Sequence, residues 1–247
     1  MVLLTSILLP LYLYPVPDAW DWVTNAITAH PSVDFNIIIN PASGPGPVNT
    51  LPDASYIDAI AALNAFNNTN LLGYVDTGYM HRDTDSVVAD VATYKFWSTY
   101  TTKDIQIHGI FFDDCVSTWN ATTSAWVSTV AARTRDDGFT ITLNPGTTAD
   151  APFFDLADDI LMLENPYDAV QSLVKLDAIP QPHRANSSVI FHHFTGSTTD
   201  QSNFVREILS KGFRSLYVTS VEYASESALW MPFVAAVDDD VVGCGGL

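Results

Sequence analysis

The sequence predicts a single-domain (β/α)8 TIM barrel, of class α/β. Three observations carry that expectation. Eight short apolar runs recur along the 247 residues, each closed by polar, Gly or Pro residues. The runs are near-continuously apolar rather than alternating, as strands buried on both faces of a parallel sheet must be. Helix-period segments separate most of them, and the length suits one such barrel.

The elements follow in order. ILLPLYLY (7–14) is the first strand. It lies in MVLLTSILLPLYLYP, which is as apolar as a signal-peptide core but has no basic residues before it and no A-x-A pattern after it. Any secretion signal is therefore expected outside it. A helix over 18–29 starts at Asp18 as N-cap and places Trp22, Ala26 and Ala29 on one face. FNIIIN (35–40) is the second strand, and the Gly/Pro-rich NPASGPGPVNTLP (40–52) is a long loop after it. The second helix covers 53–66 from Asp53. LLGYVD (71–76) precedes a helix over 83–100 capped by Asp83. IHGIFFDD (107–114) precedes a helix over 117–136. FTITLN (139–144) and DILMLEN (159–165) are strands five and six, with shorter connections after them. SVIFHHF (188–194) leads to a helix over 200–211 from Asp200. FRSLYVTS (213–220) and a helix over 225–236 close the chain. The alternative is an open doubly wound sheet, but no G-x-G-x-x-G or G-x-x-x-x-G-K-S/T follows the first strand. With no linker or composition break, residues 1–247 form one domain.

Charge excludes some partners. Asp and Glu number 28 against 10 Lys and Arg, for a net charge of −18. Such a chain repels nucleic-acid backbones and anionic membrane surfaces and attracts cations. No run is long enough for a membrane-spanning helix, and a monomer is expected. Three N-glycosylation sequons, at Asn67, Asn120 and Asn186, fall in predicted loops or helix edges and tilt the reading toward secretion. Cys115 and Cys244 are compatible with one disulfide or with two separate buried thiols.

A barrel of this type works at the carboxy-terminal ends of its strands. There the sequence gathers Tyr12, Asn40, Tyr74, Asp76, Asp113, Asp114, Asn144, Glu164, His192, Thr219 and, just beyond, Glu222. Asp113 or Asp114 and Glu164 lie two strands apart around a barrel, so one cleft can hold both. Paired carboxylates suit glycoside hydrolysis: one protonates the leaving oxygen, the other attacks carbon or activates water. Apolar neighbours such as Phe111 and Phe112, with a like charge close by, should keep one acid protonated. Successive strand residues face opposite ways, so one of Asp113 and Asp114 should enter the cleft and the other support a loop or bind sugar hydroxyls. Read singly, each acid is as well explained as a helix cap or solvated loop residue. For the same reason of alternation, His192 and His193 should face apart and share no metal. No G-x-S-x-G elbow or H-x-x-x-H pair is present. The six tryptophans suit helix-to-barrel packing, with Trp20, Trp97 and Trp230 able to serve as sugar platforms instead.

PLYLYP, FNIIINPASGPG, LLGYVDTGY, HGIFFDD, ITLNPGT and ILMLENPYDA, in that order, resemble successive blocks of the spherulin-4 (spherulation-specific family four) proteins. That family includes fungal endo-α-1,4-N-acetylgalactosaminidases acting on galactosaminogalactan. The resemblance implies a secreted or cell-wall-associated TIM-barrel glycoside hydrolase that needs no cofactor or metal. It implies an Asp-Glu pair after the fourth strand, mapped onto Asp113 and Asp114, and a glutamate after the sixth, mapped onto Glu164. Position 114 departs from it by one methylene, which moves the weight to Asp113 and Glu164 and leaves Asp114 as a supporting acid. The sequence itself does not decide the proton donor; the expectation adopted is Glu164 as general acid and Asp113 as nucleophile or stabiliser. A partly deacetylated, cationic polymer would suit the acidic chain. The alternatives are a catalytically silent barrel that binds a wall or biofilm polysaccharide, and a stress or spore-coat structural protein.

Overall fold

The computed structural model describes residues 5–244, with side chains through residue 239. Eight parallel strands close into a barrel in sequence order. They are β1 (Ser6–Leu11), β2 (Phe35–Ile39), β3 (Thr69–Asp76), β4 (Gly109–Asp113), β5 (Thr140–Leu143), β6 (Asp159–Pro166), β7 (Ser187–His192) and β8 (Ser215–Val218). Each lies within or overlaps one of the eight apolar runs. β1 closes the ring against β8 through Ser6 opposite Ser215. Strand residues such as Ile7, Ile37, Ile110, Ile160 and Val189 are fully shielded. Each such side chain gains about 1.5–3 kcal/mol from leaving water. This explains why the runs do not alternate: one face fills the barrel and the other meets the helices.

The helices are α1 (Asp21–Ala29), α2 (Ala54–Asn64), α3 (Thr84–Trp97), α4 (Ala121–Asp136), α5 (Gln171–Ala178), α6 (Thr198–Ser210) and α7 (Trp230–Cys244). Asp53 and Asp83 cap α2 and α3 as expected, each accepting two backbone N–H groups. Two caps fall elsewhere. Asp18 adopts a left-handed conformation, φ 68°, in a turn before α1, and Trp20 precedes the helix without a side-chain cap. Asp200 sits one turn inside α6, where it forms a reciprocal capping box with Ser197. After β5 there is only a 3-10 turn, Ala151–Asp155, where the repeat would place a helix.

The tryptophans pack the scaffold. Trp97 and Trp230 are fully buried, Trp20 nearly so. Their indole N–H groups donate to Thr50 O, Trp22 O and Leu13 O. None of these three is free to act as a sugar platform. Two glycines mark close approaches. A Cβ on Gly109 would lie 2.1 Å from Thr140 Oγ1, and one on Gly73 2.7 Å from the Tyr94 ring.

Cys115 is buried, its Sγ 3.2 Å from Phe112 O, and burial pushes its thiol up to about 12. Its pairing with Cys244 lies outside the described residues. Asn67, Asn120 and Asn186 are all exposed. Among the described residues, no helix is long and apolar enough to cross a membrane.

Candidate active site

β4 delivers Asp113 and then ends. The next residue, Asp114, has φ 52°, a conformation that removes it from the strand. The two acids therefore part. Asp113 turns toward the barrel mouth, where the Tyr74 hydroxyl donates to its Oδ2 at 2.7 Å. The Asp114 carboxylate meets the Tyr79 hydroxyl, and its carbonyl accepts from Thr77 Oγ1 at 2.7 Å. The expected division between cleft acid and loop acid has Asp113 in the cleft.

Glu164 arrives by a register defect. β6 carries a bulge between Leu161 and Leu163 against β7. Asp159 faces the barrel interior at its base, where its carboxylate accepts from Ser188 Oγ. Strict alternation from Asp159 would put Leu163, not Glu164, on that side. The extra residue reverses the parity, as bulges beside active sites commonly do. Glu164 Oε1 then accepts from the Tyr223 hydroxyl at 2.6 Å.

Asn144, at the end of β5, joins the acids. Its Nδ2 donates to Asp113 Oδ1 at 2.7 Å and to Glu164 Oε2 at 2.8 Å. Its Oδ1 accepts the Gly146 N–H at 2.8 Å, which holds the amide with its NH2 edge toward the carboxylates. That contact needs the tight Asn-Pro-Gly turn, with Gly146 at φ 63°. Tyr12 packs edge-on against both Tyr74 and Tyr223, with ring centroids 5.6 Å and 5.8 Å apart. Three tyrosines thus wall a pair of acids, and two of them are donors.

Electrostatics follow from this enclosure. Burial raises the Asp113 carboxyl above its ordinary range, with Glu164 adding to the rise; the bonds from Tyr74, the Asp114 backbone and Asn144 oppose it. Burial and the neighbouring carboxylates push the Tyr12, Tyr74 and Tyr223 hydroxyls well up, so all three keep their protons.

The remaining expected residues divide. His192 reaches the same mouth, its ring 6.2 Å from that of Tyr223. Glu222 lies beside it, exposed on the loop after β8. Asn40 and Asp76 shape loops: their side chains accept the N–H groups of Gly44 and Gly78. Thr219 is a correction. It is fully buried, and its hydroxyl accepts the Val221 N–H, so sugar cannot reach it. His193 is a second correction. It leaves β7 with φ 54° and swings back, so its ring meets His192 instead of facing away.

Sequence reasoning missed Tyr223 and Tyr79. Tyr223 follows Glu222 in an irregular loop with no strand pattern to index it. Tyr79 lies in the left-handed run Gly78, Tyr79 and Met80, at φ 54°, 57° and 59°. Such a turn costs about 1–2 kcal/mol per non-glycine residue. It leaves the Tyr79 ring 60% exposed, with its hydroxyl on Asp114. A groove of about 280 Å³ adjoins Glu164, lined by Gly146, Thr147, Thr148, Asn165 and Lys175.

A closed parallel barrel with acids gathered at its carboxy-terminal mouth defines the chain as a TIM-barrel protein. The sequence pattern of the spherulation-specific family 4, Spherulin4, matches residues 6–237. The chain belongs to this family. It is 33% identical over 162 residues to Spherulin-4 of Physarum polycephalum; the match covers 65% of this chain and 45% of that protein, so it spans under half of the relative's length. The barrel superposes on the crystal structure of Aspergillus clavatus Sph3 in complex with GalNAc with a TM-score of 0.88 and 30% identity, covering 95% of this chain and 97% of that one. A chitinase from Rhizomucor miehei (TM-score 0.54, 9% identity, covering 96% and 99%) shares the fold alone. So does an endoglucanase from Clostridium acetobutylicum (0.53, 11%, covering 96% and 97%).

Proposed function

We propose that this protein is an endo-acting glycoside hydrolase that cleaves an α-1,4-linked, N-acetylgalactosamine-containing polysaccharide of the galactosaminogalactan type. Asp113 and Glu164 are its carboxylate pair. The observation that carries this reading is the single Asn144 nitrogen held by both acids. Oxygens that share one donor at 2.7 Å and 2.8 Å lie less than about 6 Å apart. Retaining glycosidases hold their carboxyl groups about 5–5.5 Å apart, and inverting ones about 6.5–9.5 Å, so this spacing favours retention.

The roles divide by environment. Burial raises the Asp113 carboxyl above its ordinary range, which favours it as general acid. Glu164, beside the open groove, is then the nucleophile that forms and releases a glycosyl ester. This reverses the division expected from sequence. Asp114, turned out to Tyr79, orients the loop rather than the bond under attack, so its missing methylene does not displace the pair. Sugar specificity draws support from the GalNAc bound by the Aspergillus relative, and location at the cell wall or outside the cell from the exposed sequons.

The test is digestion of galactosaminogalactan, with soluble products read by mass spectrometry for the parent, Asp113→Asn and Glu164→Gln. N-acetylgalactosamine oligomers from the parent alone uphold the reading. No product from the parent, with polymer still retained on the protein, supports the silent binding barrel instead.

A further inference from the structure

We infer that His192, His193 and Glu222 form a binding site for a borderline divalent cation such as Zn2+ on the rim of the cleft. The three side chains come from the ends of β7 and β8, and one ligand atom from each lies within 4.8 Å of the others. The Nδ1 atoms of the two rings are 2.6 Å apart. Glu222 Oε1 is 3.4 Å from His193 Nε2 and 3.8 Å from His192 Nδ1. Tetrahedral ligands about 2.0–2.1 Å from zinc stand about 3.4 Å from one another. With His193 ligating through Nε2 and His192 through Nδ1, the carboxylate is thus already near its distance from both nitrogens, and the short Nδ1–Nδ1 contact is not itself a ligand pair.

The backbone builds this cluster at a cost. Adjacent residues on a strand point apart. Here His193 takes φ 54°, which brings its ring onto that of its neighbour. Strained non-glycine conformations persist where the surroundings fix them and concentrate at functional sites. The surroundings do fix this one. The Phe194 N–H donates to Thr219 O at 2.9 Å, which ties the segment after β7 to the end of β8. Thr219 Oγ1 holds Val221 beside Glu222, and Ser220 bonds Ser227 across the same loop. The donor set is pre-assembled by buried groups that touch no ligand themselves.

Two imidazoles and one carboxylate suit zinc and its neighbours better than Mg2+ or Ca2+, which take oxygen ligands. Three protein ligands leave at least one position of a tetrahedral ion open toward the cleft. The chain's net charge of −18 draws cations to it.

The deciding experiment is calorimetric titration of the whole protein with ZnCl2 in excess Mg2+, which occupies the many simple carboxylate sites. The parent is expected to bind one equivalent. His193→Ala and Glu222→Gln are each expected to weaken binding by about tenfold or more. Both altered side chains are exposed, and melting curves without metal check that the variants fold. An anomalous zinc peak between His192 and His193 in soaked crystals of the parent is the second readout. No binding by the parent in Mg2+, or equal binding by the variants, overturns the site and leaves a hydrogen-bonded histidine pair. The readout is metal binding alone, so it stands whether or not the cleft cleaves glycans.

Discussion

Asp113 and Glu164 share one donor: the Asn144 Nδ2 stands 2.7 Å from the first carboxylate and 2.8 Å from the second. The charge on Glu164 disfavours ionisation of Asp113, and an amide N–H to each carboxyl group holds the pair at this spacing. Replacing Asn144 by Ala removes both bonds. The expected result is a loss in kcat of about a hundredfold with KM little changed, because a misplacement of about 1 Å is enough for that. The Asp113 carboxyl should also rise further, because the Asn144 bond that opposes the rise is gone, and as the general acid it should carry the alkaline limb of the pH–rate profile to higher pH. Initial rates of polymer cleavage against pH check both.

Tyr79 is the second test. Its ring stands in the open beside the acids, and its backbone is strained. Tyr79→Phe should keep most substrate affinity and lose the tie to Asp114. Tyr79→Gly should lose affinity but not stability, since relief of about 1–2 kcal/mol of left-handed strain offsets the greater freedom of glycine in the unfolded chain. Melting temperature and KM, measured together, separate the two effects. A Tyr79→Gly variant that melts far below the parent contradicts this account.

Asp159 predicts a pH dependence of stability. It is buried at the base of the barrel, its Oδ1 has no partner, and burial pushes its carboxyl up to about 6. In the unfolded chain an aspartate titrates near 3.9. The folded protein therefore holds this proton to higher pH than the unfolded one. Its stabilising contribution is complete below about pH 4 and is lost as pH rises through 4 to 6. A shift of that size amounts to roughly 2–3 kcal/mol. Asp159→Asn should flatten the decline and leave the variant more stable than the parent at pH 8. Urea unfolding at pH 4, 6 and 8 decides it.

Gly109 tests the scaffold. A methyl group there meets Thr140 Oγ1 at 2.1 Å and Leu72 Cδ2 at 2.8 Å. Gly109→Ala should cost about 1–3 kcal/mol by overpacking. At roughly 2–4 °C per kcal/mol for a chain of this size, that is a fall of several degrees in Tm. Activity measured well below the transition should survive, since Asp113 is four residues away along the strand.

Much of the barrel was legible because burial on both faces leaves a period-free apolar signature, and all eight runs became strands. Asp113 and Glu164 were legible because each ends such a run. What escaped was set by backbone geometry that residue identity does not encode. Asp18 looks like Asp53 on paper, yet one is in a left-handed turn and the other caps a helix. Thr219 sits at a strand end like the acids, but its neighbours bury it completely. The histidines meet because one residue abandons extended geometry. Tyr223 comes from a loop whose path only the packed barrel determines.

The bulge in β6 has a consequence for comparing related chains. Glu164 faces its partner because one residue too many precedes it, not because position 164 is inherently inward. A relative could keep the glutamate in perfect alignment, lose a single upstream residue, and turn that carboxylate out toward the helices. Another could lack it in the alignment and present an equivalent acid one place along. In this family, then, the functional unit to trace is the count of residues from the base of the strand to the acid, and the letter alone is a poor guide to which members are competent.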